Sequence, residues 1–104
     1  MKKLYQFHWD CGRMGFIEGL FIEESEKVEQ LISSRFEVYF GEVLGKHSEI
    51  YGIVEESDVK EITSDEKVIK VFETHEIISG YNPFDYIDQD EYQEYLREQN
   101  DEEE

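Results

Sequence analysis

The chain reads as an α+β domain with a mainly antiparallel sheet of four or five strands, two or three short helices, and an acidic C-terminal helix and tail. Three observations predict this. Short runs of period-two alternation are punctuated by glycines, as in half-buried strands. Two or three stretches place apolar residues at helical spacing behind acidic or hydroxyl residues suited to a first turn. The helical stretches do not alternate regularly with the strands, which disfavours a parallel sheet built from βαβ units.

Leu4 to Trp9 alternates, with Tyr5, Phe7 and Trp9 on one side and Gln6 and His8 on the other. Asp10 to Gly15 interrupts the pattern with two glycines and reads as a turn. Phe16 to Ile22 is a second strand, so the pair forms a hairpin. Its loop exceeds the tightest hairpin lengths, and a bulge is expected. Ser25 is placed to cap a helix carrying Val28, Leu31 and Ile32 on one face, closed by Ser33 and Ser34. Phe36 to Phe40 is a third strand, followed by a glycine-flanked loop from Gly41 to Gly45. Ile50 to Val54 is a fourth, in which Gly52 marks a bulge or a close approach. Val59 to Ile62 is a short fifth.

Ser64, followed by Asp65 and Glu66, reads as a capped helix start, with Val68, Ile69 and Phe72 as the core face. Gly80 ends that region. Tyr81-Asn82-Pro83-Phe84 holds the only proline and reads as a turn or an extended segment. Asp88 to Gln99 is the last helix, with Tyr92, Tyr95 and Leu96 as its apolar stripe, and Asn100 to Glu104 is expected to fray.

A length of 104 residues suits one domain. Residues 1–87 are expected to form the core, with 88–104 as part of the same domain or as an appendage. Seven Phe, seven Tyr and one Trp supply the large apolar groups that disordered acidic chains lack. The single cysteine, Cys11, excludes an internal disulfide and fits a reducing cytoplasm. No apolar run approaches the roughly 20 residues of a membrane span, and polar residues interrupt any signal-peptide core near the N-terminus.

Charge is the most informative property. There are 27 acidic and 10 basic residues, for a net charge of −17. That sign argues against nucleic acid or an anionic membrane as a direct ligand. It points to a basic partner, either a nucleic-acid-binding protein or a cation, and the bland alternative is an acidic surface that only aids solubility. The charge is uneven: residues 85–104 carry −9 and residues 1–84 carry −8. On the last helix Asp90, Glu94 and Glu98 repeat every four residues, about 6 Å apart along the axis. Glu91 flanks this row and Asp88 sits at the helix start. Glu55, Glu56, Asp58 and Glu61 form a second cluster, and Glu23, Glu24, Glu26 and Glu29 a third. The plain alternative for the last helix is a solvated outer face, with its tyrosines packed on the sheet.

Catalytic chemistry finds little support. His8 and Cys11 are near in sequence, but a nucleophile needs its base within hydrogen-bond reach, and Cys11 reads better as a small buried hydrophobe. Gly41 and Gly45 are one residue too close for a phosphate loop, so that segment reads as a hairpin loop. His8, His47 and His75 lie on separate elements, and no calcium-loop spacing occurs. No enzymatic activity, cofactor or metal site is expected.

Two stretches, Phe7-His8-Trp9-Asp10-Cys11-Gly12-Arg13-Met14-Gly15 and Tyr39-Phe40-Gly41-Glu42-Val43-Leu44-Gly45-Lys46-His47-Ser48-Glu49, resemble a family of short phage- and plasmid-type proteins. Gly80-Tyr81-Asn82-Pro83 is similar to the end of such proteins. The resemblance spans residues 4–87, brings no activity with it, and implies a phage-type setting in a host cytoplasm. Size and charge also resemble the acidic DNA-mimic inhibitors of phages, a likeness of composition and not of fold.

The leading expectation is a non-enzymatic inhibitor that competes with DNA for a basic host protein, such as a histone-like HU protein, a nuclease or an RNA polymerase component. Asp88, Asp90, Glu91, Glu94 and Glu98 would make the contact, supported by Glu55, Glu56, Asp58 and Glu61. The alternative is a small-molecule or nucleotide-binding module in which Trp9, Arg13, Lys46 and His47 meet an anionic ligand. A third reading is a passive structural or virion component.

Overall fold

The computed structural model describes residues 1–45, 49–77 and 79–102. The first alternating run becomes β1 (Lys2–Asp10), which pairs antiparallel with β2 (Phe16–Glu24) from Lys2↔Glu24 to Asp10↔Phe16. This register puts Tyr5, Phe7 and Trp9 on one face with Ile17, Gly19 and Phe21. The pairing has no register shift, so the expected bulge is absent from this hairpin. A 3-10 turn at Gly12–Met14 absorbs the extra residues instead. The Cys11 N–H donates to the Gly15 carbonyl at 2.8 Å, and the Gly12 N–H donates to the Asp10 carboxylate at 2.7 Å.

Two more strands complete this sheet. β5 (Val59–Thr63) lines the outer edge of β1, with a register shift between Leu4 and Tyr5. The two-residue β6 (Ser79–Gly80) pairs with β2, giving the order β5-β1-β2-β6. β3 (Glu37–Gly41) and β4 (Ile50–Ile53) form a separate antiparallel pair. The α+β class and antiparallel pairing agree with expectation, but the strands divide between two sheets.

Both expected cap residues are displaced by one position. β2 stays extended through Glu24, so Glu24 is the N-cap of α1 (Ser25–Ser34) and Ser25 is already helical. Asp65, not Ser64, caps α2 (Glu66–Thr74); its carboxylate accepts from the Lys67 N–H at 2.9 Å. On α2 Ile69 is buried and Phe72 half-buried, whereas Val68 is 38% exposed, so the core face is narrower than expected. Pro83–Tyr86 forms a 3-10 turn, because the Asn82 side chain accepts from the Phe84 N–H at 3.0 Å and Pro83 fits the first turn. α3 runs from Gln89 to Glu102, so the expected fraying at Asn100 to Glu102 is replaced by helix. Glu103 and Glu104 lie outside the described residues.

The main core fills the space between the Phe7 face of the large sheet and the β3–β4 pair. Phe40 is its junction: its ring centroid lies 5.9 Å from Phe7, 5.2 Å from Trp9 and 4.9 Å from Tyr86. Val28 and Leu31 of α1 and Tyr92 of α3 join the same cluster. Leu4 and Ile69 are buried outside it, since Leu4 points to the other face of β1, where α2 packs.

Gly52 resolves the choice between a bulge and a close approach. It pairs regularly with Val38, and the register shift in this sheet lies between Tyr39 and Gly41. A Cβ built at Gly52 would meet the Trp9 indole at 2.5 and 2.8 Å, so the missing side chain is what lets Trp9 lie across β4. Gly52→Ala is therefore expected to lower stability by about 1–3 kcal/mol through overpacking. Urea unfolding followed by Trp9 emission checks this; an unchanged midpoint would show that Trp9 does not rest on Gly52.

Candidate functional site

α3 is built into the fold rather than appended to it. Tyr92 is 5% exposed, with its ring centroid 4.9 Å from that of Phe36. Phe36 also meets Tyr95 edge-on at 5.2 Å. The last carbonyls of a helix lack intrahelical partners. At the end of α1 the Ser34 carbonyl accepts from the Tyr95 hydroxyl at 2.7 Å and from the Gln99 amide at 3.2 Å. Gln99 also donates to the Tyr95 oxygen at 2.6 Å. α3 thus caps α1.

This anchoring orients the acids. With Tyr92, Tyr95, Leu96 and Gln99 inward, a 3.6-residue period puts Asp90, Glu94 and Glu98 on the outer side, and all three are exposed. No ion pair to them occurs among the described residues. Asp88 has a local duty as the cap of α3: one carboxylate oxygen accepts from the Asp90 and Glu91 N–H groups at 2.9 and 3.2 Å. Glu91 is exposed on the flank of the helix.

The other acidic clusters are partly consumed by the fold. Asp58 accepts from the Glu55 N–H at 2.9 Å in a capping box around a 3-10 turn at Glu56–Asp58. Glu61 pairs with Lys3 across the β1–β5 edge, and that hydrogen bond raises the Lys3 pKa. Glu55 and Glu56 are exposed. Glu24 and Glu26 hold the Met1 ammonium at 2.9 and 3.1 Å. A hydrogen bond from its own backbone amide, then the ammonium, keeps the Glu26 carboxyl below its ordinary value.

Two concavities flank these elements. Glu23, Lys27 and Gln30 face Asp85, Gln89 and Gln93 across a groove of about 310 Å³ between α1 and the start of α3. A second cleft, of about 390 Å³, lies where the 10–15 turn meets β4, between Trp9, Asp10 and Cys11 on one side and Glu49, Ile50 and Tyr51 on the other. The sequence pairs the Trp9–Arg13 turn with the Gly41–Glu49 loop as an alternative pocket, and Trp9 and Glu49 do border one cleft. Arg13 is exposed and does not line the cleft. Lys46 and His47 lie outside the described residues.

Trp9 and Asp10 border the cleft from one side and Glu49 and Tyr51 from the other, but alternation along β4 turns the Tyr51 side chain to the face opposite Gly52 and Trp9. Asp10 spends one oxygen on the Gly12 N–H. Burial, then the Asp10 carboxylate, pushes the Cys11 thiol pKa up, which keeps the sulfur neutral. His8 stacks on Phe16 at 5.1 Å on the opposite face of the sheet, so it is not aligned with Cys11 as a base. Beside the cleft, Tyr39 and Tyr51 form a cross-strand pair, 51% and 56% exposed. Partial desolvation, with the Glu49 and Glu42 carboxylates nearby, raises the Tyr39 pKa. No cluster of three or more potential metal ligands occurs among the described residues, and none of their helices is long and apolar enough to cross a membrane.

No protein-family model, curated protein or solved structure matches the chain.

Two neighbouring tyrosines are expected to respond oppositely to loss of their hydroxyls. Among the described residues the buried Tyr92 hydroxyl has no hydrogen-bond partner: Ser34 is close, but its own O–H is committed to the Leu31 carbonyl at 3.1 Å. Tyr92→Phe should therefore be neutral or stabilising by up to about 1 kcal/mol, whereas Tyr95→Phe, which removes one of the two donors to the Ser34 carbonyl, should cost about 0.5–1.5 kcal/mol. Thermal melts of both variants check the order, and equal effects would contradict this account of how α3 docks.

Proposed function

We propose that the protein is a non-enzymatic, DNA-mimic-like inhibitor that binds a basic nucleic-acid-binding host protein and competes with DNA for it. The observation that carries this reading is the outer face of α3. Asp90, Glu94 and Glu98 stand about 6 Å apart on a helix fixed to the core, exposed and without an ion-pair partner among the described residues. A fixed row of like charges resists spreading, so its potential favours an equally regular basic groove over scattered counter-ions. Glu91 widens the row, and Glu55 and Glu56 offer a further exposed acidic patch.

The partner's Lys and Arg side chains cannot hold phosphates while carboxylates occupy them, so binding and inhibition are one event. A phage-type origin and a cytoplasmic location, in the host cell, belong to this reading.

The test uses labelled duplex DNA bound in turn to a histone-like HU protein, a restriction nuclease and RNA polymerase, followed by fluorescence anisotropy. The protein is expected to release DNA from at least one of them, with release weakening steeply between about 50 and 200 mM salt. Asp90→Asn, Glu94→Gln and Glu98→Gln together should weaken release on the order of tenfold, taking about 0.5 kcal/mol per exposed charge. Release from none of the three, or release indifferent to salt and to the triple variant, would remove the proposal.

A further inference from the structure

We infer that the outer face of the β3–β4 pair, centred on Tyr39 and Tyr51, is a docking surface for an arginine-bearing segment of a protein partner. This rests on the reading of the protein as a binder of basic partners, and it gives that partner a short-range contact in addition to α3. The register fixes the two faces of the pair. Val38, Phe40 and Ile50 turn into the core, and Glu37 and Tyr39 stand on the opposite face with their cross-strand partners Ile53 and Tyr51. An antiparallel sheet with one buried face is normally polar on the other. Here the solvated face carries two exposed tyrosines beside a half-buried isoleucine.

Tyr39 is held in place. Its ring leans along β3 over Gly41, where a Cβ would lie 3.7 Å from it. Its hydroxyl donates to the Glu49 carboxylate, and the Glu42 carboxylate also lies nearby. Tyrosine has only two side-chain torsions to order, so it offers contact area at low entropy cost and is enriched at interfaces.

Charge selects the occupant. Glu37, Glu42 and Glu49 are exposed around the pair, and no ion pair to them occurs among the described residues. A second copy of the chain docked on this face would set these carboxylates against their own counterparts, and like charges across an interface oppose binding. A purely apolar partner would bury them without counter-charges. Arginine satisfies both components of the surface. Its planar guanidinium stacks on a tyrosine ring while its fork of N–H donors meets a carboxylate, whereas an ammonium is a compact, strongly hydrated charge. β3 also begins where α3 docks, since Phe36, the residue before Glu37, packs on Tyr92 and Tyr95.

The probe is the peptide acetyl-Gly-Arg-Gly-Arg-Gly-amide, titrated into the isotope-labelled full chain and followed by NMR. Salt is held at about 100 mM, where a Debye length of about 10 Å weakens the pull of distant charges. The controls are the same peptide with lysine or with neutral citrulline in place of arginine. The amides of Glu37, Tyr39, Tyr51 and Ile53 are expected to shift saturably with the arginine peptide in the millimolar range. Lysine should bind several-fold more weakly, and citrulline should give no saturable shift. Tyr39→Thr with Tyr51→Thr keeps the charge and suits a strand. Followed at Glu37 and Ile53, this variant should bind arginine about 5- to 30-fold more weakly through loss of two cation–π contacts. Glu37→Gln with Glu42→Gln and Glu49→Gln should also weaken binding several-fold, and this variant decides the matter if the tyrosine variant does not fold. Asp90→Asn with Glu94→Gln and Glu98→Gln should leave these shifts unchanged.

Shifts confined to α3, or equal responses to arginine and citrulline, would overturn this inference. Dimerisation in sedimentation that the tyrosine variant abolishes would overturn it too, with a second copy as the occupant. DNA release by the wild-type protein without shifts on the β3–β4 face would leave the α3 reading standing alone. Arginine-dependent shifts on that face without any DNA release would remove the α3 reading and leave this surface standing.

Discussion

The contact on which the rest of the structure depends is the stacking around Phe40. The β3–β4 pair shares no backbone ladder with the four-stranded sheet, so side chains must join them. Phe40 does so by meeting Phe7 and Trp9 on one side and Tyr86 on the other. Offset and tilted aromatic pairs of this kind add about 0.5–1.5 kcal/mol each beyond burial of their area. In a chain of net charge −17 that contribution must also offset self-repulsion. The abundance of Phe and Tyr and the excess of Asp and Glu are linked for this reason: the first makes the second tolerable.

The few basic residues are distributed accordingly. Lys2 reaches Glu73 of α2 at 3.1 Å, Lys3 reaches Glu61 of β5, and Lys27 approaches Glu23 at 3.9 Å. These pairs are wholly or partly solvated and individually weak. Their placement matters more than their strength. Two of them neutralise acids where β1 meets α2 and β5, the third joins α1 to β2, and among the described residues none reaches the outer face of α3. Arg97, the one base on α3, turns its Nε back to the Gln93 carbonyl at 3.4 Å. Asp90, Glu94 and Glu98 therefore place negative charge on a face that takes no part in packing.

Local features of the fold were legible in the sequence and long-range ones were not. Alternation in Leu4–Trp9 identified both the strand and its buried side, because side-chain direction in a strand has a period of two. The helix starts were found to within one residue, but the cap passed from Ser25 to Glu24 and from Ser64 to Asp65. At each start neighbouring residues could serve as the cap, and the extent of the preceding strand or turn decides which one does. The Tyr81–Phe84 segment, which reads as a turn or an extended segment, also carries in Asn82–Pro83 the signal of a helix start. By contrast, the second sheet, the Glu61–Lys3 pair and the docking of Tyr95 on Ser34 join residues far apart in sequence, and no local pattern encodes such partners. The acid row of α3 was visible as spacing. The cleft was legible as a pairing of the Trp9–Arg13 turn with the Gly41–Glu49 loop, and Gly52 as a possible close approach, but that Trp9 is what approaches Gly52 was not, since the two are far apart in sequence.

The two acidic surfaces differ in physical kind. Carboxylates in water, such as Asp90, Glu94 and Glu98, act over about a Debye length, near 8–10 Å at physiological salt, and chiefly govern encounter and orientation. Such a surface attracts many basic proteins without choosing among them. A cleft with a fixed indole wall acts only at contact, and geometry determines what enters it. In the proposed reading, charge on α3 would bring a basic surface near, whereas any discrimination by shape would have to come from short-range contacts. The absence of a side chain at Gly52 connects the cleft back to the core. The missing Cβ that lets Trp9 lie across β4 also sets one wall of the cleft, so core packing and surface shape depend on one contact.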